Sequence, residues 1–118
     1  MIVGIGVDVV DLARFTRAVG RTARLVDRLF TANERDLPVH SLAARFAAKE
    51  ALMKALGDTE GVRWHDMEIV SDVEGNPEFV LGGMAAVIAE RRGIGSLHVS
   101  MTHDAGVACA FVVAEAGP

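Results

Sequence analysis

"SLAARFAAKEALMKALG", Ser41–Gly57, is the stretch on which the reading of this chain turns. It is built of strong helix formers, with no proline and no glycine before its end. Ser41 stands where an N-cap belongs, and Gly57 where a helix stops. At about 100° per residue, Leu42, Phe46, Leu52, Met53 and Leu56 form one broad apolar arc. Ala43, Ala44, Ala47, Ala48, Ala51 and Ala55 take most of the remaining circumference. Alanine surfaces admit a close neighbour, so the helix is expected to be packed on both sides. Little polar face remains, yet the segment carries Arg45, Lys49, Glu50 and Lys54. Glu50 and Lys54 have the spacing of an ordinary helical ion pair. A solvated pair does not explain their place among small residues. Lys49 falls within the large apolar arc, where its ammonium either snorkels to water or meets a buried partner.

Upstream, "IVGIGVDVV" at 2–10 is β-branched and apolar, the pattern of a strand. Alternation puts Val3, Ile5, Val7 and Val9 on one face and Ile2, Gly4, Gly6, Asp8 and Val10 on the other. The two glycines are expected to leave open space before the Asp8 carboxylate. Asp8 either faces a ligand there or caps the next helix. "DLARFTRAV" at 11–19 has helical spacing, with Leu12, Phe15 and Val19 on one side, and Gly20 is expected to break it. A second helical pattern follows over 21–31. Thr31 and Glu34 have capping-box spacing, and Pro38 ends the loop.

Downstream, "VRWHDMEIVSDVEGNPEFVLGG" at 62–83 reads as strand, turn and strand, with "EGNP" as the connection. "MAAVIAERRG" at 84–93 is an amphipathic helix, and two more strands follow around a "HDAG" turn. The class is α+β, a single domain over residues 1–118.

The composition is that of a folded globular chain: 51% hydrophobic, 24% charged, net charge −4. Net negative charge disfavours nucleic acid as a partner. No apolar run approaches the roughly 20 residues of a membrane span, and the N-terminus lacks the basic start of a signal peptide. A cytoplasmic protein is expected. Its one cysteine, Cys109, forms no intrachain disulfide and reads as a packed core thiol. Five of the twelve basic residues are arginines at 14, 17, 21, 24 and 28. Spaced 3, 4, 3 and 4, they would make one stripe on a continuous helix and one basic surface across a break at Gly20, either a solvated face or a docking surface for an acidic partner.

Asp8, the Glu50/Lys54 pair and His103/Asp104 interrupt apolar elements. Carboxylates from separate elements with a lysine nearby suit a hard cation such as magnesium, which takes few protein ligands and completes its shell with water and phosphate. Zinc lacks its ligand spacing. There is no Walker loop, and "GIG" alone is no dinucleotide fingerprint. The residues by themselves point to a magnesium-dependent enzyme acting on a phosphate ester.

"GIGVDVVDLARF" at 4–15, "LFTANE" at 29–34, "RFAAKEALMKALG" at 45–57 and "HVSMTHDAG" at 98–106, taken in order, resemble the bacterial holo-acyl-carrier-protein synthases. These are the small, homotrimeric members of the 4′-phosphopantetheinyl transferase superfamily. The resemblance implies a mostly antiparallel sheet packed with a long central helix and shorter helices. It implies transfer of the phosphopantetheine arm of coenzyme A to a serine of an apo acyl carrier protein, with release of adenosine 3′,5′-bisphosphate. Asp8 and Glu50 are then the magnesium ligands, with manganese as an alternative ion. Lys54 lies against the phosphates and serves the leaving group. Arg45 and Lys49 bind coenzyme A or support the site. His103, following Ser100 and Thr102, stands near the coenzyme, and Asn76 and Pro77 meet its nucleotide end. Arg14, Arg21 and Arg24 face the carrier, and the spacing extends that face to Arg17 and Arg28. Active sites at subunit interfaces are implied as well. The base that takes the serine proton is left open among a metal-bound water, Glu50 and Asp8.

Two other classes fit part of the pattern. A non-catalytic trimeric module that binds coenzyme A or an acidic protein explains the arginines, but not Asp8, Glu50 and Lys54 together. A magnesium-dependent phosphohydrolase explains the carboxylates, but not the arginines.

Overall fold

The chain runs β1 (Ile2–Asp11), α1 (Leu12–Arg21), α2 (Leu25–Leu29), α3 (Val39–Leu56), β2 (Met67–Ser71), β3 (Pro77–Leu81), α4 (Gly83–Arg91), β4 (Ile94–Asp104) and β5 (Val107–Ala116). A computed structural model describes all of residues 1–118. The strands form two antiparallel sheets, one in the order β1-β5-β4 and one of β2 with β3. The α+β class holds.

Helix α3 is the axis of the core. Its alanines are buried on both sides. Ala47, Ala48, Ala51 and Ala55 pack with Leu52 and Leu56 against Ala110 and Val112 of β5, Ile88 of α4 and Ile69 of β2. Leu42, Ala43 and Ala44 meet Phe15 of α1 and Leu29 of α2 in a second cluster. The helix begins at Val39, with Pro38 in the cap position and no side-chain cap. Ser41 therefore lies inside the first turn and caps nothing. Gly57 ends the helix at φ 77°, as expected. The Arg92 guanidinium covers that end, donating to the carbonyls of Ala55, Leu56 and Val3 at 2.7, 2.6 and 2.7 Å. A cation there also meets the negative end of the helix dipole.

The glycine face of β1 lies directly on α3. A Cβ on Gly4 would stand 2.1 Å from the Ala55 carbonyl oxygen, and one on Gly6 1.8 Å from that of Ala51. Two residues of strand and four of helix each rise about 6–7 Å. Two glycines and two alanines can therefore match along antiparallel elements. The glycines do not leave open space before Asp8. They let the backbone of α3 touch the strand, and that contact sets where Asp8 stands.

Other boundaries moved. Gly20 does not break α1, which runs on to Arg21. Residues 62–66 are not strand: Trp64–Asp66 form a single 3₁₀ turn, and β2 starts at Met67. The hairpin between β2 and β3 turns through "EGNP", with Asp72 Oδ1 accepting the N–H groups of Glu74 and Asn76 at 2.8 and 2.9 Å. Between β4 and β5, Ala105 and Gly106 have φ of 52° and 80°. Positive values at both central residues are what a two-residue primed turn needs. Cys109 is half-buried on the outer face of β5, not deep in the core. Residues buried from that strand are Ala108, Ala110, Val112 and Ala114.

Candidate active site

The register of β1 and α3 brings three of the expected residues together. The Lys54 ammonium donates to the Val7 carbonyl at 2.8 Å and lies 3.3 Å from Asp8 Oδ1. Glu50, one turn earlier on α3, shares a cavity with Asp8. Burial raises the Glu50 pKa above the ordinary carboxylate value, the charge of Asp8 raises it further, and Lys54 opposes both. Asp8 does not cap α1. Asp11 does, accepting the Arg14 N–H at 2.8 Å.

The cavity has a volume of about 540 Å³. Asp8 and Glu50 line it together with Phe15, Phe46, Leu29 and Trp64 and with two arginines of the basic face, Arg14 and Arg28. Phe46 stacks between Phe15 and Trp64, with ring centroids 5.7 and 5.5 Å away. Sequence reasoning did not find this aromatic wall. Phe15 and Phe46 read as core positions, and Trp64 as part of a strand.

Arg14, Arg17 and Arg21 are exposed along α1, Arg24 stands just before α2 and Arg28 in its last turn. The chain turns at Thr22–Arg24, so the stripe is bent. None of the five is in an ion pair.

The expected coenzyme contacts do not converge within one chain. Asp8 pairs with Ala110, and Ala110 with Met101. His103 is therefore two strands across and two residues along, about 10 Å by 7 Å away. It faces His40, ring centroids 4.8 Å apart. Asn76 and Pro77 lie at the β2–β3 turn, away from the cavity.

Lys49 is a correction. Its side chain is fully buried, its ammonium 2.7 Å from Glu34 Oε1 and 2.8 Å from the Leu29 carbonyl. Burial lowers its pKa, and Glu34 works against that. An amine enclosed in this way does not touch coenzyme A, which leaves Lys49 a supporting part. Glu34 was legible only as a capping residue; it does accept the Thr31 N–H, at 3.0 Å, but it is also the buried partner of Lys49. Arg45 is half-buried, and its Nε is enclosed with no hydrogen-bond acceptor. An orphaned guanidinium nitrogen suits an incoming anion.

Two carboxylates with oxygen donors only are a fitting start for a magnesium shell. No group of three or more His, Cys, Asp or Glu is assembled anywhere in the chain, so the protein does not by itself build a closed metal cage.

A family model described as the 4′-phosphopantetheinyl transferase superfamily matches residues 4–112. The chain belongs to that superfamily. Within it, the chain is 70% identical to the holo-(acyl-carrier-protein) synthase of Leifsonia xyli subsp. xyli over 98% of both chains. It is 61% identical to that of Clavibacter sepedonicus, over 98% of this chain and 97% of the other. Its fold matches the synthase of Neisseria meningitidis with a TM-score of 0.87 at 37% identity, covering 98% and 99% of the two chains. It also matches the Helicobacter pylori synthase in complex with coenzyme A, with a TM-score of 0.82 at 31% identity, covering 94% and 99%.

Proposed function

We propose that this protein transfers the 4′-phosphopantetheine arm of coenzyme A to a serine of apo acyl carrier protein, in fatty acid or polyketide biosynthesis. The observation that carries this reading is a cavity lined by Asp8 and Glu50 together with the unpaired Arg14 and Arg28, with the Lys54 ammonium 3.3 Å from Asp8 Oδ1. The serine oxygen attacks the β-phosphorus of coenzyme A. The bond from that phosphorus to the bridging oxygen breaks, and adenosine 3′,5′-bisphosphate departs. Asp8 and Glu50 would hold Mg2+, or Mn2+ in its place; when bound, the ion draws charge from the pyrophosphate and aligns it. The Lys54 ammonium stands where it offsets charge on the departing phosphate. The serine proton goes to Glu50, to Asp8 or to water.

Arg45, His103, Asn76 and Pro77 serve coenzyme A from separate elements, which favours a site shared between subunits. The outer face of the larger sheet supports the homotrimer. Ile5, Val7, Val9 and Phe111 are 69%, 42%, 59% and 58% exposed in the single chain. Such a contiguous apolar patch asks for a partner. No helix is long and apolar enough to cross a membrane, and a cytoplasmic site of action goes with coenzyme A as substrate.

The test is to mix the protein with an apo carrier, coenzyme A and Mg2+ and weigh the carrier by intact mass spectrometry. A gain of one phosphopantetheine arm, lost with EDTA and with Asp8→Ala, is the expected result. No gain with several apo carriers would leave a binding module, and product released without any carrier would indicate a hydrolase.

A further inference from the structure

Lys49 is next to Glu50 on α3, yet it points into the protein. Its ammonium meets Glu34 Oε1 at 2.7 Å, the Leu29 carbonyl at 2.8 Å and the Trp64 carbonyl at 3.4 Å, which uses all three donors. It also lies 5.1 Å from the centroid of the Phe30 ring. Glu34 is held as fully, since Oε1 accepts the Thr31 N–H at 3.0 Å and Oε2 the Ile69 N–H at 3.1 Å. Apolar residues of like volume often hold a core as well as a buried ion pair does. They do not grip carbonyls by direction.

The gripped segments are short, and their other polar holds, Arg35 and His65 on the Asp27 carbonyl and Asp66 on the Arg63 N–H, do not reach α3. Helix α2 has five residues and no side-chain cap. Trp64 opens a 3₁₀ turn of three residues. Helices this short do not stand alone. Leu29 and Trp64 are also a wall of the cavity that Asp8 and Glu50 complete. One ammonium thus ties that wall to the helix bearing Glu50.

We propose that Glu34 and Lys49 are positioning residues for the transfer reaction, setting Leu29 and Trp64 relative to Glu50 and thereby governing engagement of the carrier. This rests on the transferase reading. Arg14 and Arg28 of the basic face line the cavity with Leu29 and Trp64, whereas Asn76, Pro77 and His103 stand on other elements. Of the residues proposed above to serve coenzyme A from separate elements, Arg45 alone shares α3 with Lys49. Carrier engagement is therefore the more sensitive step, and coenzyme A affinity the less.

The double variant Glu34→Gln/Lys49→Met leaves no lone buried charge. Trp64 is the only tryptophan, so its emission reports on the wall directly. With circular dichroism unchanged, Trp64 emission is expected to shift and acrylamide to quench it more. The kcat/KM for apo carrier should fall about 10- to 100-fold, with the KM for coenzyme A close to wild type. A folded double variant with unchanged Trp64 emission and unchanged carrier kinetics overturns the proposal, as does an equal loss for both substrates. Should the double variant not fold, Lys49→Arg keeps the charge and alters its reach. The same shift in emission and the same loss in carrier kinetics are then expected of it, and their absence overturns the proposal equally. A wild-type protein that transfers no arm would defeat the transferase reading instead, and the Trp64 comparison would still decide whether the pair holds the wall.

Discussion

The ammonium of Lys54 bridges the Val7 carbonyl and Asp8 Oδ1, at 2.8 and 3.3 Å. A helix residue thereby reads the backbone of the strand that carries the opposing carboxylate. Lys54 is exposed at its tip, so its contact with Asp8 adds little to stability. Its expected importance is chemical. Lys54→Met should lower kcat by about 10²–10³-fold, the loss seen when one charge-stabilising donor is removed. The melting temperature should stay near wild type. A variant with near-normal kcat would remove Lys54 from the reaction.

Gly6 and Gly20 should respond in opposite directions to the same added methyl. On Gly6 it would enter the Ala51 carbonyl, backbone against backbone, with nothing flexible to give way. Gly6→Ala should cost about 3 kcal/mol or more. Gly20 is within α1 with nothing within 4 Å of the added atom. Gly20→Ala should stabilise by roughly 0.5–1 kcal/mol. Urea unfolding of both variants checks the pair, and a well-folded Gly6→Ala would contradict the packing of α3 on β1.

Glu50 has a raised pKa, mainly from burial and then from Asp8. Its contribution to stability is therefore greatest below its unfolded pKa and is lost as pH rises through the folded value. Without divalent cations, Glu50→Gln should melt above wild type at neutral pH. The gap should close as pH falls through the carboxylate range. Magnesium should raise the melting temperature of wild type more than that of the variant, because Glu50→Gln removes the charge of one of the two carboxylates. An equal thermal shift by Mg2+ in both proteins would argue against Glu50 as part of the metal site.

The exposed arginines of α1 have no carboxylate partner in the chain, so their field is open to another protein. Arg14→Glu with Arg21→Glu should raise the KM for carrier about 10-fold or more, while that for coenzyme A holds. The wild-type carrier KM should itself rise with salt. Equal KM values for carrier in wild type and variant would place docking elsewhere.

Val7 and Phe111 are cross-strand neighbours on the exposed apolar face. Phe111→Asp should give monomers by light scattering, with activity lost if the site is shared between subunits. A wild-type monomer that transfers the arm would end the trimer proposal.

Much of this was readable without coordinates. Periodicity and punctuation marked β1, α3, α4 and the β4–β5 hairpin, because each is long or bounded by glycine or proline. Short elements were not legible. Trp64–Asp66 has too few residues to show a period, and the end of α1 depends on how the chain turns toward α2, not on Gly20.

The sequence alone determined a long two-faced helix bearing Glu50 and Lys54, packed on both sides, and a glycine-bearing strand that carries Asp8, because periodicity and residue volume are local properties. It also supplied the order of motifs that marks the superfamily. Only the tertiary structure decided that Gly4 and Gly6 serve contact with Ala55 and Ala51, that Lys49 turns inward to Glu34, and that Leu29, Phe46 and Trp64 line one cavity with Asp8. Those facts join residues far apart in the chain. Which of them meet depends on how helices and strands stack, and no local spacing contains that.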